Sequence, residues 1–204
     1  MSVIIVDYGM GNLRSVERVI HQKDPSATIS SDPEVIASAS KLILPGVGHF
    51  KNGISKLKQY GIRDVIEEKV LIEKTPILGI CLGMQIMCRS SEEGNVEGLG
   101  WFDANVVRFD VSDKLKYKIP HMGWNTLDIK KKTNLLVGLI QNSYYYFVHS
   151  FYVDCNDKQD ILSTTIYETE FTSSVAKGNI YGVQFHPEKS HGSGKKIIEN
   201  FLRL

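Results

Sequence analysis

Cysteine is scarce in this chain of 204 residues, which contains three thiols, at positions 81, 88 and 155. An odd number of widely separated cysteines does not suit a disulfide framework, so the sequence indicates a reducing compartment and favours the cytoplasm. Their spacing also lacks the paired pattern of a zinc site, and we expect no metal. Each cysteine therefore needs its own explanation.

The sequence also has no excess of charge of either sign and no long apolar run. Lys and Arg number 24 against 23 Asp and Glu, which gives a formal net charge of +1. Proteins that bind nucleic acid or a membrane surface usually carry a basic excess, so we expect neither partner. No run approaches the roughly 18 apolar residues of a membrane span. Met1–Asp7 lacks the basic region of a signal peptide, which again favours the cytoplasm.

The first half of the chain alternates short apolar runs with segments of helical apolar spacing. Strands are expected at Val3–Val6, Lys41–Leu44 and Pro76–Ile80, and a helix is expected to start at Ser31–Glu34 and another to follow Cys81. Alternation of this kind is typical of a parallel sheet with helices on both faces.

The second half is richer in strands and ends in a helix at Lys195–Leu204. The whole pattern predicts a single α/β domain over residues 1–204, with a mostly parallel central sheet flanked by helices and additional antiparallel strands in the second half. The expected strands of the second half are Val106–Phe109, Trp124–Ile129, Tyr144–Val153, Ile161–Tyr167 and Ile180–Phe185.

Gly79–Gly83 is the most informative segment, because a buried strand enters it and a helix leaves it. Its pattern, G-x-C-x-G, is that of a nucleophile elbow with sulfur in place of oxygen. A helix start favours negative charge, so the pKa of the Cys81 thiol is expected to fall, and the N–H of Leu82 is placed for an oxyanion. The alternative is a buried, inert cysteine, the interpretation we favour for Cys88 and Cys155.

A thiolate nucleophile usually needs a histidine nearby. Of the six histidines, His186 ends a predicted strand and is followed by Pro187 and Glu188. The strand fixes its backbone, and Glu188 can hydrogen-bond the far imidazole nitrogen, the third role of a catalytic triad. The alternative, a surface His-Pro-Glu turn, would be reasonable if Cys81 did not need a partner.

Four segments together resemble a known family: Pro45–Gly48, Gly79–Gln85, Tyr146–Ser150 and Phe185–Glu188. The chain resembles the class I (triad) glutamine amidotransferases, whose fold is flavodoxin-like. With the N-terminal strand and the C-terminal helix, the resemblance covers essentially the whole chain. A cysteine elbow combined with a distant His-Pro-Glu is about as specific as a two-part zinc signature.

The resemblance implies a mechanism without a cofactor. Cys81 attacks the side-chain amide of glutamine, His186 protonates the departing ammonia and then activates water against the thioester, and Glu188 orients His186. The oxyanion is expected to be held by the N–H of Leu82 and by that of Val47. In the family, the Pro45–Gly48 strand that carries Val47 turns over before the oxyanion hole is complete.

The glycines on either side of Val47, Gly46 and Gly48, make such a rearrangement sterically easy. The resemblance further implies that glutamine is held by Gln85 and by an acidic residue on the helix after the elbow. Glu93 is our choice, with Glu92 second. Backbone near Ser150 and Phe151 completes the expected pocket.

Three further segments resemble the members of the class that serve histidine biosynthesis: Val6–Val16, Pro120–Asn125 and Lys189–Ser190. This resemblance implies a heterodimer with a (β/α)₈ cyclase barrel, docked over the active site to receive ammonia. Trp124, Lys189 and Asn12 are expected at that interface. Trp124 could equally be a core residue, and Asn12 could simply cap a helix.

Three other functions remain open. The first is a paralogue with the same chemistry that serves another synthase, for instance one that aminates a surface-polysaccharide sugar. The second is a thiol hydrolase that acts alone, and Gln85 and Glu93 argue against it. The third is a non-catalytic binding module. Such a module would not need Cys81, His186 and Glu188 to be intact, so their presence argues against it.

Overall fold

The computed structural model describes residues 2–204, which form fourteen strands and six α-helices, with most of the strands in one large sheet. The strands are β1 (Val3–Val6), β2 (Thr28–Ser30), β3 (Lys41–Gly46), β4 (Ile77–Cys81), β5 (Cys88–Ser91), β6 (Val96–Glu97), β7 (Phe102–Arg108), β8 (His121–Thr126), β9 (Asp128–Ile129), β10 (Tyr144–His149), β11 (Phe151–Cys155), β12 (Ile161–Tyr167), β13 (Thr169–Lys177) and β14 (Ile180–Val183).

The helices are α1 (Leu13–Ile20), α2 (Pro33–Ala37), α3 (Phe50–Gln59), α4 (Ile62–Glu67), α5 (Leu82–Gln85) and α6 (His191–Leu202). The predicted helix start at Ser31–Glu34 is confirmed, because the Asp32 carboxylate accepts a hydrogen bond of 2.9 Å from the N–H of Glu34. Among residues 2–204, no helix is both long and apolar enough to span a bilayer.

The sheet joins the two halves of the chain. Its order is β2-β1-β3-β4-β14-β13-β11-β7-β5-β6, and β2, β1, β3, β4 and β14 all run parallel. Strands β13 and β11 are antiparallel to their neighbours, and β8 pairs with β10 in a separate two-stranded sheet. The predicted fold class, a mostly parallel central sheet with added antiparallel strands, is confirmed.

Both faces of the parallel strands are covered, which explains their nearly continuous apolar sequences. One face packs on residues of α3 and α4, such as Leu57 and Ile66. The opposite face packs on residues of α1 and α6, such as Val16, Ile197 and Phe201. Because β3, β4 and β14 are parallel neighbours, their carboxyl ends meet at one edge of the sheet.

Several predicted bounds were wrong for reasons of long-range pairing. The expected strand Tyr144–Val153 breaks at Ser150, since β10 pairs with β8 whereas β11 pairs with β7. The expected strand Trp124–Ile129 is likewise two strands, β8 and β9. Three other bounds also differ from the prediction. The strand predicted at Val106–Phe109 is the longer β7, and the strand predicted at Ile180–Phe185 is the shorter β14. The C-terminal helix begins earlier than predicted, at His191.

Candidate active site

Cys81 lies where β4 passes into α5, and its backbone is strained. Its φ is 54° and its ψ is −109°, a conformation that residues with a side chain rarely adopt. Such strain costs about 1–3 kcal/mol and persists where the surrounding structure enforces it, typically at functional sites. The sharp turn that the G-x-C-x-G pattern predicts is therefore present at Cys81.

The two flanking glycines are required by close backbone contacts. A Cβ atom at Gly79 would lie 2.7 Å from the backbone N of Met84 and 2.8 Å from the carbonyl O of Gly83. At Gly83 a Cβ atom would lie 1.7 Å from the carbonyl O of Leu44 on β3. The turn thus packs directly against the neighbouring strand, which fixes the position of Cys81 at the sheet edge.

His186 follows the end of the adjacent strand β14, and its partner is Glu188. Nδ1 of His186 lies 2.8 Å from Oε1 of Glu188, and both side chains are buried. A carboxylate only accepts hydrogen bonds, so Nδ1 carries the proton and Nε2 of the neutral ring is free to take one. Within residues 2–204, Nε2 has no hydrogen-bond partner.

The electrostatics of the site favour charge separation between sulfur and imidazole. Burial alone would lower the pKa of His186, but negative charge on Cys81 and the contact with Glu188 together raise its pKa above the ordinary value. The imidazolium is therefore stabilised when the thiolate forms. This is the arrangement that an activated thiol nucleophile needs.

Cys81 opens on a cavity of about 300 Å³ at the carboxyl edge of the sheet. Eight of the residues predicted from the sequence form most of its lining, whereas His186 is not part of it. The lining residues are Val47, Gly48, Cys81, Leu82, Gln85, Glu93, Pro120, Val148, His149, Ser150 and Phe151. Gly46 pairs with Cys81 in the β3–β4 register just beside it.

Residues 4–204 match the family model of the class-I glutamine amidotransferases. The chain belongs to this family. Among named relatives, imidazole glycerol phosphate synthase subunit HisH 2 of Methanococcus maripaludis is 55% identical, with 98% of each chain covered. The protein with the same name from Pseudomonas aeruginosa is 43% identical, with 99% of each chain covered.

A solved structure supports the same fold at low identity. A glutamine amidotransferase from Thermotoga maritima superposes with a TM-score of 0.64 at 19% identity. The superposition covers 100% of this chain and 83% of that one. The amidotransferase fold therefore holds over the length of the chain.

Glu93 of this amidotransferase lines the cavity, but its expected place on the helix after the elbow was wrong. Helix α5 ends at Gln85, and Glu93 lies in the turn between β5 and β6. One oxygen of its carboxylate accepts a hydrogen bond of 2.6 Å from the N–H of Phe50, at the start of α3. Glu92, the second choice, instead accepts a hydrogen bond from the N–H of Arg108 and is absent from the lining.

Gln85 holds the cavity wall together. Its Nε2 donates to the carbonyl O of Phe151 at 2.9 Å and to Oε1 of Gln184 at 3.0 Å. Gln184 is fully buried, and its Nε2 lies 3.6 Å from Sγ of Cys81. Sequence analysis missed Gln184, although a glutamine just after a buried strand and two residues before His186 is an available signal.

The segment expected to supply the second oxyanion donor follows β3. Gly48 has a φ of 112°, which favours glycine, and a Cβ atom at Gly46 would lie 2.4 Å from the hydroxyl of Tyr8. Within residues 2–204, the N–H of Val47 donates no hydrogen bond to backbone. The role of Val47 in an oxyanion hole stays a prediction.

The three residues expected at a partner interface are exposed. Trp124 is 45% exposed, which contradicts a core role, and it stacks on His191 with ring centroids 5.0 Å apart. The Nζ of Lys189 lies 5.5 Å from the centre of the Tyr146 ring. Asn12 precedes α1, but its side chain makes no capping hydrogen bond. All three side chains are therefore accessible at the surface, as an interface role requires.

The part of the chain from residue 2 to 204 brings no three His, Cys, Asp or Glu side chains together in a way that could hold a metal ion. The polar groups at and beside the cavity are those that acyl transfer uses. They are the Cys81 thiol, the His186 imidazole and the Glu188 carboxylate.

Proposed function

We propose that this chain hydrolyses the side-chain amide of glutamine and passes the ammonia to a separate synthase subunit. The observation that carries the proposal is the strained Cys81, which opens on a cavity beside the buried His186–Glu188 pair. Family membership and the names of the relatives support the same chemistry.

The first half of the reaction forms a thioester. The thiol of Cys81 gives its proton to Nε2 of His186, and the thiolate adds to the amide carbon. The oxygen becomes an oxyanion, held by the N–H of Leu82 and by that of Val47. When the intermediate collapses the C–N bond breaks, and the His186 imidazolium donates its proton so that the nitrogen leaves as ammonia.

The second half releases glutamate. His186, neutral again, takes a proton from water as the water attacks the thioester carbon. Collapse of the second tetrahedral intermediate breaks the C–S bond, and the proton returns to the sulfur of Cys81. Glu188 stays ionised throughout, since it keeps Nδ1 protonated and stabilises the imidazolium.

We assign glutamine recognition to four residues that line the cavity: Gln85, Glu93, Ser150 and Phe151. The second oxygen of the Glu93 carboxylate has no hydrogen bond within residues 2–204 and suits the α-amino group of the substrate. Gln85, Ser150 and Phe151 line the same cavity, which supports our assignment of Gln85 and the backbone of the other two to the rest of the amino acid. Gln85 also fixes the carbonyl of Phe151 itself.

The ammonia must reach its acceptor without meeting water, because ammonium is not a nucleophile. We propose that a (β/α)₈ cyclase barrel docks as a heterodimer over Trp124, Lys189 and Asn12. There the ammonia would be used to make imidazole glycerol phosphate and an aminoimidazole carboxamide nucleotide in histidine biosynthesis. All three cysteines are free thiols, which suits a reducing cytoplasm.

One observation favours a second candidate, a paralogue with the same chemistry and another acceptor. Both relatives named above carry the number 2, which indicates more than one such subunit in their organisms. A second copy is free to serve a different synthase, for instance one that aminates a sugar. A hydrolase that works alone is the third candidate.

Glutamate release with and without the barrel separates these candidates. The histidine-pathway barrel with its nucleotide ligand should raise the rate by about 10²-fold or more, since docking completes the site. A Trp124→Ala variant should lose at least about tenfold of that stimulation. The control is Ile72→Ala, an exposed hydrophobic residue that precedes the amino end of β4.

Each outcome favours one candidate. A low rate of glutamate release that is the same with and without the barrel would favour the paralogue. A high rate that is the same with and without the barrel would favour the stand-alone hydrolase. Equal stimulation of wild type and Trp124→Ala would show that Trp124 does not contribute to the interface.

Replacing Glu188 by glutamine should lower kcat for glutamine about 10²- to 10⁴-fold with the fold retained. The amide can donate to Nδ1 of His186, which leaves the proton on Nε2, where it blocks transfer from the thiol. Steady-state kinetics and thermal melting check this. The matched control is Glu92→Gln, whose carboxylate accepts a hydrogen bond from the N–H of Arg108 instead of from the His186 ring. Full activity of Glu188→Gln would show that Glu188 does not act as the third member of the triad.

A further inference from the structure

Two buried histidines beside the cavity have no part in this mechanism. His121 on β8 and His149 on β10 lie opposite each other in the antiparallel register and are 3% and 6% exposed. Nδ1 of His121 lies 3.1 Å from Nε2 of His149. His149 lines the cavity, whereas His121 does not.

The hydrogen-bond partners fix the direction of every bond in this histidine pair. The carbonyl O of Phe151 lies 2.8 Å from Nδ1 of His149 and can only accept, so Nδ1 of His149 carries a proton. Nε2 of a neutral His149 then accepts from Nδ1 of His121. Nε2 of His121 accepts in turn from Nδ2 of Asn125 at 3.4 Å. Both rings therefore hold their proton on Nδ1.

The surroundings of the pair are aromatic. His121 stacks on Tyr167 at 4.0 Å and on Phe147 at 5.0 Å, and His149 packs on Phe109 and Phe171. Burial lowers the pKa of His149 to about 3 and that of His121 to about 4. Both rings are thus neutral at pH 7, as the hydrogen bonds require.

The charged and titratable groups near the pair reinforce this state. His186 follows β14, and when its ring is protonated its positive charge opposes protonation of His149. Two tyrosines are also near. Tyr167 on β12 stacks directly on His121, and Tyr152 on β11 packs on Phe109, which in turn contacts His149. Within residues 2–204, no carboxylate acts on either histidine to favour its charged form.

We infer that His121 and His149 are positioning residues of the glutamine pocket. Their hydrogen-bond chain ends on the carbonyl of Phe151, where the donor from Gln85 also converges, and so holds the Ser150–Phe151 backbone against the cavity. The same chain begins on β8, the strand that carries Trp124. The inference rests on the proposed glutamine hydrolysis, because it assigns both residues to the same cavity.

Breaking the hydrogen bonds between His121, His149 and Phe151 is expected to weaken substrate binding. His121→Phe preserves an aromatic ring but removes the donor to His149, so KM for glutamine should rise about tenfold with kcat within about twofold. Because His121 does not touch the cavity, loss of a direct substrate contact cannot explain such a change. His149→Asn, whose amide can still donate to Phe151, should have a lower KM than His149→Phe.

His21→Asn is the matched control, since His21 also bonds a backbone carbonyl, that of Ala27, but lies at the end of α1. Its KM and kcat should equal those of wild type. Melting curves of all variants report whether each one folds. An unchanged KM in folded His121→Phe would overturn the inference.

A second measurement needs no turnover. Nitrogen-15 NMR of histidine-labelled protein should show two rings protonated on Nδ1, although free imidazole in water prefers the other tautomer, and both should stay neutral from pH 7 to pH 5. Protonation of either ring near pH 6.5, or a proton on Nε2, would overturn the inference while leaving the proposed function intact. A wild-type chain that hydrolyses no glutamine with any partner would instead overturn the proposed function and this assignment with it.

Discussion

Replacing Cys81 by alanine is expected to lower glutamine hydrolysis about 10⁴-fold or more while the fold remains. Without the sulfur no thioester can form, and the groups left in the cavity provide only binding and oxyanion stabilisation. Glutamate release by the isolated chain and by its complex, together with a melting curve, checks this expectation.

The other two cysteines cannot take over. Burial raises the pKa of the Cys88 thiol well above its ordinary value and that of Cys155 to about 12, so neither forms a thiolate near neutral pH. Cys155→Ala is therefore the matched control and should keep its activity. Alkylation by a glutamine-like electrophile, located by mass spectrometry, should map to Cys81. A Cys81→Ala protein that still hydrolyses glutamine would end the covalent mechanism.

The parts of the site that the sequence predicts well are those held together by local geometry. The G-x-C-x-G turn lies within five residues, and its glycines are required by contacts with the turn itself and with the next strand. His186 and Glu188 are two residues apart, so their hydrogen bond needs only one short turn. The alternation of strands and helices similarly predicts a parallel sheet, and that brings the ends of β4 and β14 together.

Glu93 illustrates what local patterns could not predict. Apolar spacing after Cys81 is compatible with a long helix, yet α5 has four residues because the chain turns back into β5. Backbone bonds from Leu99 to Ile86 and from Trp101 to Met87 fix that turn. These bonds join residues more than ten positions apart, so helical spacing cannot reveal them.

The histidine pair and the break at Ser150 have the same physical origin. His121 and His149 are 28 residues apart in sequence and meet because β8 and β10 pair in one particular register. That register also takes β10 out of the large sheet, while β11 stays in it. Neither consequence follows from the run Tyr144–Val153, which has the pattern of one continuous strand until its partners are known.

Gly83→Ala should be among the most damaging single-methyl changes in this chain. The added Cβ would lie 1.7 Å from the carbonyl O of Leu44, well inside van der Waals contact, and the positions of both atoms are fixed by the backbone. Neither can rotate away, so the turn must separate from β3 by more than about 1 Å. Overpacking of this kind costs about 3 kcal/mol or more, because backbone must move.

The displacement should affect activity beyond its cost in stability. Cys81 precedes the clash by two residues, and a shift of about 1 Å at a nucleophile can lower the rate about 10²-fold. Urea unfolding and glutamate release measure the two effects. Gly192→Ala is the matched control, since nothing lies within 4 Å of its added Cβ in α6 and alanine favours a helix by up to about 1 kcal/mol. The same substitution should thus destabilise at Gly83 and stabilise at Gly192. A Gly83→Ala protein as stable and active as wild type would show that contact with β3 does not hold the Cys81 turn in place.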